Sequence, residues 1–115
     1  MVKVEITKDL TKEMIKIFGK KKTLELIDFF ETLESSPKKG KELANVGNIV
    51  IKELKYTSFR FYFITDGFKL KFLKIDELKD LVLKFVRMSK KKDQQKTIEE
   101  IKELLKKLGY GGFEK

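Results

Sequence analysis

Residues 49–67, IVIKELKYTSFRFYFITDG, decide how the chain is read. Apolar and polar side chains alternate with a period near two, the mark of β-strands. Residues 49–56 form one strand and 59–65 the next, turning at Thr57-Ser58. Phe59, Phe61 and Phe63 share one face of the second strand, and Arg60, Tyr62 and Ile64 share the other. The phenylalanine face is expected to be core. Asp66-Gly67 reads as a hairpin turn, since glycine supplies the positive φ that such turns need. Phe68, Leu70 and Phe72 alternate with Lys69 and Lys71, which predicts a further strand of the meander. Residues 74–80 read as a turn or one helical turn. Residues 81–86, apolar almost throughout, read as a strand covered on both faces.

Working outward, Val2, Val4 and Ile6 alternate with Lys3 and Glu5 as a short opening strand. Thr7 or Asp9 can cap a helix carrying Leu10, Met14, Ile17 and Phe18 and ending at Gly19. After a Lys20-Lys21-Lys22 turn, Thr23 can cap a second helix, stopped by Ser35-Ser36-Pro37 because proline removes a donor. Residues 38–48 read as a polar connection. Thr97 and Glu100 match a capping box, starting a helix that stops at Gly109. Residues 109–115 read as a flexible tail on a single domain spanning 1–115. The fold expected is α+β: an N-terminal strand and helical hairpin packed on a mostly antiparallel sheet of about four to five strands, with a C-terminal helix.

Composition excludes several chemistries. The chain has 115 residues with no cysteine and no histidine, so thiol nucleophiles, disulfides and the usual imidazole base are out. No apolar run approaches the roughly 20 residues of a membrane span. A soluble cytoplasmic protein with no metal and no cofactor is therefore expected. Lysine and arginine total 27 against 18 acids, a net charge of +9. The Lys/Glu/Ile-rich, amide-poor bias is that of thermophile proteins. Residues 49–97 hold 13 of the bases and 6 of the acids, so the excess is concentrated there. An acidic partner such as RNA or DNA fits that concentration, and so does a lysine-rich surface that is merely solvated.

The element order, with VKVEITKDLTKEM, ETLESSPKKGKELANVGNIVIKEL, SFRFYFITDG and LVLKFVRMSKKKDQQKTIEEIKELL upon it, resembles the RelE/ParE toxin superfamily. The likeness is to its HigB-like, phage-associated branch, over about residues 1–108, with 67–80 as an insertion. The resemblance implies a RelE-like fold and the toxin of a toxin–antitoxin pair. RelE and HigB types are metal-independent endoribonucleases that cleave mRNA on the ribosome, whereas ParE types inhibit gyrase. The partners implied are mRNA with the ribosome and a cognate antitoxin. The alternative is a non-catalytic module of the same fold that binds nucleic acid or gyrase.

Cleavage through the ribose 2′-OH needs a base, an acid and cations facing the developing phosphorane. On the family's pattern Arg60, one of only two arginines, is the first catalytic candidate, its guanidinium fork suiting phosphate oxygens. A structural Arg60, stacked on Tyr62 or paired with Glu53, is the competing reading. Lys52 and Lys55 lie on the preceding strand, where the family carries basic residues. Glu53 departs from the family's pattern, standing where a basic residue is expected, and can instead serve as general base. Arg87 completes the catalytic set. Lys84, Lys90, Lys91 and Lys92 match the family's last basic stretch and are assigned to nucleic-acid contact. The tyrosine that RelE-type nucleases often carry near this end has no match here: Asp93-Gln94-Gln95 stands in its place.

Overall fold

Both faces of the 59–65 strand are covered, and by different helices. The computed structural model describes residues 2–113. Its strands are β1 (Lys3–Ile6), β2 (Lys41–Val46), β3 (Ile49–Tyr56), β4 (Phe59–Asp66) and β5 (Val82–Lys90). They form one sheet in the order β1-β5-β4-β3-β2. β1 runs parallel to β5 and every other pairing is antiparallel. The helices are α1 (Lys8–Glu31), α2 (Gly67–Phe72) and α3 (Gln94–Leu108). The fold is thus α+β, with α1 on one face of a mixed five-stranded sheet and α3 on the other.

Thr7 caps α1 by accepting from the Leu10 amide at 3.2 Å. Gly19, at φ +81° and ψ 168°, breaks the helix, a conformation essentially confined to glycine. Helix resumes at once, so Lys20-Lys21-Lys22 is helical where a turn was expected. Thr23 is buried inside the second segment and does not cap it. The two segments lay Leu10, Met14, Leu26 and Phe30 over Leu54, Phe61, Phe63, Leu83 and Phe85. Phe30 and Phe85 stack at 4.1 Å with planes 7° apart. On the other face Ile98, Ile101 and Leu105 of α3 cover Ile51, Tyr62, Ile64 and Val86. Burial from both sides explains why β4 carries apolar residues at successive positions.

Four further expectations are corrected. Residues 41–46, read as polar connection, form edge strand β2, paired with β3 and slipped by one residue between Glu42 and Ala44. Residues 67–72 form α2 and not a strand: the Asp66 side chain accepts from the Lys69 amide at 3.0 Å and caps a helix instead of turning a hairpin. α3 begins at Gln94, and Thr97 lies inside it, donating to the Asp93 carbonyl at 3.0 Å. Lastly, Gly109–Phe113 is a 3₁₀ turn with Phe113 only 2% exposed in the α3-side core, not a loose tail. Residues 114 and 115 lie outside the described residues.

Candidate nucleic-acid interface

The β3–β4 turn, Thr57-Ser58, gathers three parts of the chain at one end of the sheet. Lys91 of the 3₁₀ turn after β5 donates its amide to the Ser58 carbonyl at 3.3 Å. Lys90 is the partner of Phe59 across β4 and β5. From the α1 side, Phe18 packs edge-on to Phe59 at 5.0 Å and to Tyr56 at 6.4 Å. These contacts seat the Gly19 break beside the turn and bring the next residues, Lys20 to Lys22, with it. Lys22 Nζ stands 5.8 Å from the centre of the Tyr56 ring, within cation–π range. Its pKa is raised by contact with Tyr56 first and by Glu25 second.

Lys20, Lys21, Lys55, Lys90, Lys91 and Lys92 are all exposed, and Lys22 is half-buried. Among these cations stand the acids Glu25, 3.9 Å from Lys22, and Asp93. Two lysine runs, about seventy residues apart in sequence, therefore flank the same hairpin end of the sheet, with Lys55 on its α3 face beside Arg60. Cations so placed attract a phosphate backbone and release its counterions.

Of the other candidates, Arg60 stands at the same turn, across the hairpin from Lys55, but it is buried. Arg60 is 6% exposed and Glu53 7%, with Arg60 Nε 3.8 Å from Glu53 Oε2. Arg60 Nη1 also donates to the carbonyls of Phe59 at 3.1 Å and Thr57 at 3.4 Å. Gln94, the first residue of α3, donates to Glu53 Oε2 at 3.0 Å and closes the pair over. Arg60 is thus committed to its own hairpin and to Glu53. Beside them the Tyr62 hydroxyl is 2.7 Å from Ser89 Oγ, and burial raises its pKa.

Lys52 occupies the opposite face of the sheet from Glu53. Its Nζ donates to the Lys38 carbonyl at 3.0 Å and lies 5.8 Å from the Phe63 ring centre. Burial pushes its pKa down, partly offset by Glu42. Lys84 pairs with Ile64 in mid-strand, half-buried and away from the turn. Arg87 owes its orientation to a β-bulge. The β4–β5 register slips between Tyr62 and Phe63, and both Val86 and Arg87 meet the α3 side. Its guanidinium lies 5.2 Å from the Phe113 ring centre and donates to the Val86 carbonyl at 2.8 Å.

Lys52, Lys55, Arg60 and Arg87 therefore line no common groove, and of the nine candidates only Lys55, Lys90, Lys91 and Lys92 are exposed. Sequence reading missed Lys20 to Lys22 at this end of the sheet. The clue available was Phe18, an aromatic directly before the helix-breaking glycine. Among the described residues no three carboxylates gather as metal ligands, and no helix is long and apolar enough to cross a membrane.

No family model, curated protein or solved structure matches the chain.

Proposed function

We propose that the protein is a nucleic-acid-binding module of RelE/ParE type that holds single-stranded RNA against the β3–β4 end of its sheet. The observation that carries this is the placing of Lys22 against Tyr56 and of Lys90 and Lys91 against Phe59 and Ser58, at the same hairpin end of the sheet. Cations from three separate elements at one end of the sheet suit a flexible polyanion better than a small ligand, and Tyr56 offers a half-buried ring among them. The choice of RNA over DNA rests on the resemblance. The side chains at this end favour binding over cleavage. The cation of Arg60 is balanced by Glu53, and Tyr62 has no exposed surface. A ribosome-dependent nuclease with its antitoxin is the stronger form of the same reading.

The test incubates the purified protein, alone and with ribosomes programmed with mRNA, with end-labelled RNA and follows both retention and chain length. Retention with intact RNA is the expected result. Codon-phased cleavage on the ribosome, lost in a folded Arg60→Lys variant, would replace binding with nuclease activity. Failure to retain RNA at low salt would overturn the proposal.

A further inference from the structure

At the other end of β3 a groove of about 550 Å³ opens between the β2–β3 edge and α2. That volume falls within the roughly 300–1,000 Å³ of small-molecule sites. Val50 lies on its wall, six residues from Tyr56 and so about 20 Å along the strand from the lysine surface. The two features are separate.

The groove contains a buried ammonium that no carboxylate touches. Lys52 is 5% exposed, yet the one hydrogen-bond acceptor its ammonium finds is the Lys38 carbonyl at 3.0 Å. Glu42, its partner across β2 and β3, acts on it electrostatically but forms no ion pair with it. An ammonium has three donors, so two remain for whatever enters. Lys38 and Lys71 line the same space, and Glu42 is the acid among them, leaving an excess of positive charge. A buried cation of this kind is stabilised by an incoming anion.

The rim is aromatic. Phe68 and Phe72 of α2 are 57% and 62% exposed, with ring centres 4.9 Å apart. Lys71 Nζ stands 5.5 Å from the Phe72 ring centre. Two large apolar side chains held so open above a basic floor suit a planar ring that stacks on them. The Asn45 and Asn48 amides, also lining the groove, offer paired donors and acceptors to a ring edge, and Glu42 accepts from hydroxyls.

We infer that this groove binds a phosphorylated nucleoside, with the base against Phe68 and Phe72 and the phosphate toward Lys52, Lys38 and Lys71. The same chemistry is presented by a free mononucleotide and by the phosphorylated end of an RNA strand. It does not depend on the lysine surface at the other end of β3.

Isothermal calorimetry on the full chain with adenosine 5′-monophosphate tests it, beside adenosine, inorganic phosphate and a short RNA with and without a 5′-phosphate. Saturable binding is expected, weakened about tenfold or more by Phe72→Ala, the effect of losing one stacked base. Lys71→Ala should weaken it severalfold. Both side chains are exposed, and a thermal melt verifies that the variants fold. Tighter binding by the 5′-phosphorylated RNA than by the mononucleotide identifies a strand end as the source, and the reverse identifies a free nucleotide. Either result supports the site. No saturable binding, binding indifferent to Phe72→Ala, or inorganic phosphate binding as tightly as the nucleotide would overturn it.

Discussion

Replacing Arg60 with methionine keeps most of the aliphatic stem and removes the guanidinium. Glu53, 7% exposed, then loses the cation 3.8 Å from its Oε2 and retains the Gln94 amide at 3.0 Å. Breaking one side of a buried pair costs about 3–5 kcal/mol, because a charge is left uncompensated. The Phe59 and Thr57 carbonyls lose a donor as well, but they sit at the hairpin end where water can replace it. The expectation for Arg60→Met is therefore about 3 kcal/mol, near the lower bound. Glu53→Gln should cost a similar amount by stranding the arginine. The double variant removes both charges, so its cost should fall about 2–3 kcal/mol short of the sum of the two. Urea unfolding of the four proteins, followed by circular dichroism, measures this cycle directly. A cost within about 0.5 kcal/mol for Arg60→Met, the range of an ordinary surface change, would refute the structural role and return Arg60 to the pool of free phosphate ligands.

Three further expectations follow from the same packing. Phe113→Ala should cost about 3 kcal/mol, as for other buried phenylalanines, whereas a loose tail would make it silent in a thermal melt. Gly19→Ala should cost about 1–3 kcal/mol, because a side chain is strained at φ +81° even though nothing crowds its Cβ, and chemical unfolding would read it. Lys52 has a folded pKa depressed by burial, so the unfolded chain binds more protons between that pKa and about 10.4, and wild-type stability rises with pH across that window. Lys52→Met lacks that rise, so the stability gap between variant and wild type should shift toward wild type from pH 7 to pH 10; a gap independent of pH would contradict the burial of its charge.

The strands at the centre were legible because their pattern had one meaning. Phe61 and Phe63 had to face a core, and a helix had to start at Thr7 or Asp9, of which Thr7 is the cap. Residues 67–72 misled because Phe68 and Phe72 satisfy a period of two and an i, i+4 helical spacing equally. Asp66 settled the choice by capping, which no pattern of apolar residues reveals. β2 was invisible for a different reason: KELANV has little β-propensity, and its pairing with β3 is imposed by tertiary structure. Gly40 belongs to the same blind spot. A Cβ there would come within 3.0 Å of Phe63 Cζ and 3.2 Å of the Glu53 carbonyl at φ +99°, a constraint visible only once β4 is in place. For the candidate residues, alternation along β3 put Lys52 and Glu53 on opposite faces as any strand would, but the bulge that turns Arg87 toward α3 left no mark in the sequence. The lysine runs were plain in the sequence, but not that they flank one hairpin end.

That placing is the claim most open to direct measurement. Fluorescence anisotropy with a labelled single-stranded RNA, repeated across salt concentrations, gives the slope of log affinity against log salt. Each phosphate contact contributes about −0.7 to that slope on a single strand. Replacing Lys20, Lys21 and Lys22 by glutamine, or separately Lys90, Lys91 and Lys92, should each reduce the slope by up to about 2. Both triple variants should lose affinity while keeping the wild-type fold. A wild-type slope near zero, or one that neither set of substitutions changes, would contradict the account.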